Sequence, residues 1–119
     1  MSNQQIGAQA ELSALAYLEQ YGLNLVRQNY HCRRGEIDLI MIDQDTLVFI
    51  EVRYRRSAKY GSALESVNHT KQSRIIHTAE FYLQQHPAEY SQYRFDVVAI
   101  NPIKESINIS WVKNAFQIN

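Results

Sequence analysis

Two apolar runs dominate the middle of the chain. Ile37 to Ile42 and Leu47 to Val52 are nearly continuous Ile, Leu, Val, Met and Phe, and the polar turn Asp43-Gln44-Asp45-Thr46 separates them. Runs this short and this rich in β-branched residues predict two antiparallel strands, over Gly35 to Asp43 and Leu47 to Tyr54. Leu23 to His31 alternates loosely and predicts a strand before them. Upstream, Ile6 to Tyr21 is dense in Ala and Leu and ends against Gly22, which predicts a helix with Glu11, Leu15 and Leu18 on one stripe.

Arg55 to Glu65 is polar and basic, and reads as a loop. Ser66 or Asn68 then caps a second helix that ends near Gln85, before Pro87, with Ile75, Ala79, Tyr82 and Leu83 on its apolar face. Tyr93 to Ile100 and Ile107 to Val112 predict two further strands around a turn at Asn101-Pro102. The order αβββαββ predicts an α/β fold, a five-stranded mixed sheet with flanking helices. A length of 119 residues suits a single domain over 1–119.

Register turns the central hairpin into a chemical question. A turn of two residues (Gln44-Asp45) or of four (Asp43 to Thr46) sets Asp38 opposite Glu51, Glu36 opposite Arg53, Ile40 opposite Phe49 and Ile42 opposite Leu47. The other face carries Ile37, Leu39 and Met41 against Val48, Ile50 and Val52. Directly opposed Cβ atoms stand about 4.5–5.5 Å apart, and like charges there destabilise the pair. Asp38 against Glu51 among apolar neighbours requires a proton, a cationic side chain or a metal ion. Mg²⁺ suits one or two carboxylates completed by water and a phosphate oxygen. The plainer alternative is a cross-strand Glu36–Arg53 ion pair with the other acids fraying into solvent.

Gly35-Glu36-Ile37-Asp38, a turn, and Phe49-Ile50-Glu51-Val52-Arg53 together resemble the PD-(D/E)XK nuclease superfamily, the restriction-endonuclease-like fold. Over nearly its full length the chain more closely resembles the YraN family of uncharacterised bacterial proteins. That likeness rests on Gly7-Ala8-Gln9-Ala10-Glu11, Gly35 to Asp38, Glu51 to Arg55, Tyr60-Gly61, Lys71 and Arg94-Phe95-Asp96-Val97-Val98. Archaeal Holliday-junction resolvases are similar in layout, with a helix glutamate near the metal that Glu11 matches.

The resemblance implies metal-dependent hydrolysis of phosphodiester bonds in DNA, including structured or branched DNA. Asp38, Glu51 and the Val52 carbonyl would ligate Mg²⁺ or Mn²⁺, and Glu11 or Glu36 would complete the shell directly or through water. The chain departs from the superfamily where Arg53 stands in place of the motif lysine. Arginine supplies positive charge but stays protonated and cannot act as a base. Lys71 on the second helix is the candidate to replace that lysine. The departure also supports a runner-up, a nucleic-acid-binding module that keeps the fold with weak or lost cleavage.

Lys+Arg and Asp+Glu both number 12, so net charge says nothing about nucleic acid. Distribution does. Arg53, Arg55, Arg56, Lys59, Lys71 and Arg74 lie in a segment with Glu65 as its acid, and Arg33 and Arg34 precede the acidic strand. Such a face predicts phosphate contacts, with DNA as the expected partner. A lone cysteine, Cys32, permits no intrachain disulfide. The polar start lacks a signal-peptide pattern, and Asp38, Asp43, Asp45 and Glu51 break the greasiest stretch. The cytoplasm is therefore the expected compartment, with no membrane partner. A homodimer would suit two-strand cleavage, and the sequence leaves oligomeric state open. His31-Cys32, His69, His77 and His86 show no zinc-type spacing. Trp111 reads as core, and Asp96 as structural.

Overall fold

The computed structural model of the chain describes residues 2–56, 64–87, 90–103 and 106–118. In chain order the elements are α1 (Asn3–Gln20), β1 (Asn24–Cys32), β2 (Gly35–Asp43), β3 (Thr46–Tyr54), a short 3₁₀ turn (Leu64–Ser66), α2 (His69–Gln85), β4 (Gln92–Ile103) and β5 (Ser106–Phe116). This is the expected order αβββαββ, and the architecture is consistent with a restriction-endonuclease-like fold.

The strands form one mixed sheet in the order β1-β2-β3-β4-β5. Neighbours are antiparallel except β3 and β4, which are parallel. Parallel neighbours need a long crossover, and α2 lies within it. The β2–β3 register is as expected from Asp43↔Thr46 through Ile40↔Phe49 to Leu39↔Ile50, around the turn Gln44-Asp45.

Both sheet faces are buried because a helix covers each. Ala10, Ala14 and Leu18 of α1 pack on Leu39, Met41, Val48, Ile50 and Val98. Ile75, Ala79 and Tyr82 of α2 pack on Ile40, Leu47, Phe49, Phe95 and Val97. Strands buried on both sides are continuously apolar, which accounts for the two central runs.

Four sequence expectations need correction. First, α1 begins earlier than Ile6, because the Ser2 hydroxyl accepts the Gln5 N–H at 3.2 Å while Gln5 Oε1 accepts the Ser2 N–H at 2.8 Å. Second, the buried stripe of that helix is Ala10-Ala14-Leu18, with Glu11 half-buried beside it. Third, Ile37 belongs to the α2-side core with its β1 partner Tyr30, whereas Leu39 and Met41 face α1. The faces of β2 therefore change over at Asp38. Fourth, Asn101 and Pro102 continue β4 and pair with Asn108 and Ile107. Pairing with β3 stops at Tyr54↔Ile100, so beyond it the missing Pro102 N–H leaves no ladder bond unmade on that side. No helix among the described residues is long and apolar enough to cross a membrane.

Candidate functional site

The β2–β3 ladder stops at Leu39↔Ile50, and the next two residues are Asp38 and Glu51. There a side chain replaces a main-chain acceptor, since the Val52 N–H donates to Asp38 Oδ2 at 2.8 Å. Asp38 is 8 % exposed and Glu51 7 %, and their carboxyl groups hydrogen-bond to each other. The plainer alternative is thereby removed: these acids are buried, and Glu36 pairs with His31 of β1 at 3.3 Å.

Two carboxylates in hydrogen-bond contact cannot both stay charged without a cation. Burial, the hydrogen bond with Glu51 and the charge of Glu51 push the Asp38 carboxyl from an ordinary 3.8 up to about 8. The Val52 N–H and the Lys71 ammonium pull the other way without prevailing. Glu11 approaches from α1. Burial and the charges of Asp38 and Glu36 raise it from 4.5 to about 7, against a hydrogen bond with Asn29. Asn29 sits in β1 with φ 51, a left-handed conformation that asparagine tolerates better than most residues.

From the opposite side comes Lys71, whose Nζ lies 3.3 Å from Glu51 Oε2. Asn68, one of the two expected caps, fixes its position: Asn68 Oδ1 accepts the Lys71 N–H at 2.9 Å. A lysine in the first turn opposes the helix dipole, at a cost of a few tenths of a kcal/mol. Lys71 bears that cost while facing a buried carboxylate. Arg53, the residue at the motif-lysine position, is half-buried, and its Nε has no hydrogen-bond partner among the described residues.

Glu36, Glu51, Lys71 and Arg74 line a cleft of about 330 Å³ between the strand ends and α2. Gly35 permits the close approach. A Cβ there would lie 3.2 Å from Thr78 Oγ1 and 3.4 Å from Arg74 Cβ. Arg33 and Arg34 form the β1–β2 turn and share an adjoining strip with Arg74. Arg55 follows β3, its N–H bonded to the Ile100 carbonyl at 2.9 Å, and Arg56 is exposed. Lys59 lies outside the described residues, as do Tyr60 and Gly61.

The structure thus brings Asp38, Glu51, Val52 and Lys71 into contact. Glu11 stands near enough for its charge to be felt, and Glu36 sits on the rim in its pair with His31. Among the described residues no three His, Cys, Asp or Glu side chains gather into a ready-made metal shell. Asp96 is structural, as expected. It is fully buried and takes hydrogen bonds from Arg94 Nε at 3.0 Å, Trp111 Nε1 at 2.9 Å and the Asn114 N–H at 2.9 Å. Sequence reasoning missed Asn29 and Thr78. The first carried no signal beyond its residue type, and the second matters through tertiary contacts, with Gly35 and with Cys32 Sγ, which donates to its hydroxyl at 3.6 Å.

Comparison with known proteins agrees over most of the chain. The model of "Uncharacterised protein family UPF0102" matches residues 10–100. A UPF0102 protein of Psychromonas ingrahamii is 53 % identical over 111 residues, covering 93 % of this chain and 88 % of its own length. One of Nitrosococcus oceani is 50 % identical over 113 residues, covering 94 % and 91 %. One of Ectopseudomonas mendocina is 46 % identical over 117 residues, covering 97 % of each.

Proposed function

The chain belongs to the uncharacterised protein family UPF0102, and from the geometry of its site we propose that it is a metal-dependent endonuclease hydrolysing phosphodiester bonds in DNA. One observation carries this reading. Two buried carboxylates from adjacent strands, Asp38 and Glu51, lie side by side, and Glu51 opens onto a cleft lined by Lys71 and Arg74.

The donor set suits a hard divalent cation. Asp38 and Glu51 offer oxygen ligands, and a cation there relieves the repulsion between them. Asp38, Glu51 and the Val52 carbonyl would hold Mg²⁺ or Mn²⁺, with Glu11 or Glu36 as further acids on its periphery. When bound, such an ion activates water and neutralises charge on the phosphoryl oxygens.

The protein's own groups supply the rest. The Val52 N–H orients the Asp38 carboxylate, and Lys71 orients Glu51 while adding positive charge at the cleft. Arg53 remains protonated and cannot serve as a base. Arg53 offsets charge that develops on the phosphate in the transition state. Arg33, Arg34 and Arg74 hold flanking phosphates, with Arg55, Arg56 and Lys59 extending that contact.

The test is cleavage of end-labelled duplex, single-stranded, flapped and four-way-junction DNA with Mg²⁺ or Mn²⁺, wild type against Glu51→Ala. Metal-dependent cutting that disappears in the variant is expected. Cutting that survives it would overturn the site. Arg53 in place of lysine favours a second reading, a DNA-binding module with little cleavage. Salt-sensitive binding by a wild type that cuts none of the substrates would select it.

A further inference from the structure

A second cavity among the described residues stands apart from Asp38 and Glu51. It lies further along α2, measures about 720 Å³, and is walled by the β1–β2 turn with Arg33 and Arg34 and by His77, Phe81 and Gln84. The strip lined by Gly35, Glu36 and Arg74 joins it to the carboxylate cleft. His77, Phe81 and Gln84 recur at helical spacing, on a side of α2 distinct from the buried Ile75, Ala79 and Tyr82. Phe81 is 44 % exposed, although the helix has an apolar core within reach.

We propose that this cavity receives one unpaired nucleotide of the DNA strand whose phosphodiester lies in the carboxylate cleft. This rests on the nuclease reading and deepens it by naming the substrate class. The volume falls in the range of small-ligand sites, about 300–1,000 Å³. Contact with duplex phosphates needs only surface cations, whereas a concave pocket with an exposed aromatic ring suits the face of a base. A base can present that face only when it is not stacked in a duplex. Arg33 and Arg34 take the phosphates beside it, and the Glu80 carboxylate on the same wall accepts from base amino groups.

Spacing defines where the nucleotide sits. Lys71 and Phe81 are separated by about 15 Å along the helix at 1.5 Å per residue. That is about four nucleotide steps at the 3.4 Å spacing of a duplex strand, and fewer for a stretched one. The favoured substrate is DNA with a gap, flap or junction within a few nucleotides of the scissile bond.

The probe is a duplex carrying one unpaired 2-aminopurine, compared with a fully paired duplex, in EDTA so that nothing is cut. Wild type is expected to bind the unpaired probe about tenfold tighter, in line with base–aromatic stacking, and to quench its fluorescence. Phe81→Ala should remove both effects and leave paired-duplex affinity within twofold, while Phe81→Trp should restore them. Arg33→Ala should weaken both probes alike. A preference unchanged in Phe81→Ala overturns the subsite, as does equal wild-type affinity for the two probes. Either result leaves nuclease activity standing if Mg²⁺-dependent cutting is retained. Wild type that binds neither probe and cuts no DNA overturns the nuclease reading, and the subsite with it.

Discussion

Lys71 Nζ meets Glu51 Oε2 at 3.3 Å across the crossover that links two parallel strands. One partner is set by a hairpin and the other by a helix cap, so the pair depends on both elements docking. Lys71→Ala is expected to lower metal-dependent cleavage at least as much as Arg53→Ala. The loss of one preorganised electrostatic group typically costs about 10²–10³ in rate. Single-turnover cleavage by the two variants checks this, and an unimpaired Lys71→Ala would remove the lysine from the mechanism.

The raised Asp38 carboxyl gives the metal-free protein a distinctive pH dependence. A carboxyl whose folded pKa stands above its unfolded value favours the fold while protonated. For Asp38 that contribution is complete below about pH 4 and is lost as pH rises towards about 8. Asp38 alone should lower stability across that window by at most about 1.4 kcal/mol per pH unit, and Glu11, raised from 4.5 to about 7, adds to the fall in between. Thermal unfolding in EDTA should show the slope, and Mg²⁺ or Mn²⁺ should flatten it by replacing the proton. Asp38→Asn, which mimics the protonated acid, should lose the metal response and reduce the slope to the part that half-buried Glu11 contributes.

Arg53 offers a test in the direction of gain. Its buried Nε makes no hydrogen bond to the described residues, so shortening the side chain leaves no partner orphaned there. Arg53→Lys should change stability by less than about 0.5 kcal/mol and raise the cleavage rate. A rate below wild type would show that arginine is the working residue.

Gly35 lets the basic turn press on α2. Adding a methyl group sets it 3.2 Å from Thr78 Oγ1 and 3.4 Å from Arg74 Cβ. Gly35→Ala should cost about 1–3 kcal/mol, the usual penalty of overpacking. The same variant should weaken DNA binding by displacing Arg33 and Arg34. Chemical denaturation and binding isotherms measure the two effects separately.

Asp96 separates architecture from chemistry. Its removal orphans the Arg94, Trp111 and Asn114 donors around a fully buried position. Asp96→Ala should destabilise by about 3–5 kcal/mol, while Mn²⁺ affinity measured on folded protein stays near wild type. A selective loss of Mn²⁺ binding would place Asp96 in the metal site.

The acidic pair was legible because a hairpin is local. Two apolar runs and a short polar turn determine which residues oppose as far as Leu39↔Ile50; beyond it the ladder ends, Glu36 turns to His31 instead of Arg53, and Ile37 changes face. Lys71 was legible for a chemical reason, as the cation needed once arginine held the motif position. Its contact with Glu51 was not, because α2 docks through core side chains such as Ile75 and Tyr82 that say nothing about Nζ. The start of α1 was readable from Ser2 and Gln5, but Ala and Leu density drew the boundary to Ile6. The approach of Glu11 was expected from the resemblance, whereas its hydrogen bond with Asn29, held at positive φ in β1, was not.

The two outer strands share a feature that bears on assembly. In β1, Leu25 pairs with Met41 and Arg27 with Ile40, so Val26 is surplus. In β5, Phe116 pairs with Phe95 but Val112 with Val97, so Lys113 to Ala115 stand opposite Asp96 alone and two residues are surplus. Each of these strands also holds an asparagine at positive φ, Asn29 at 51 and Asn114 at 52. An added strand needs a straight row of free amides and carbonyls, and bulged borders interrupt that row. Each rim of this sheet is therefore broken at one point, which shortens the row it could offer to a second copy of the chain.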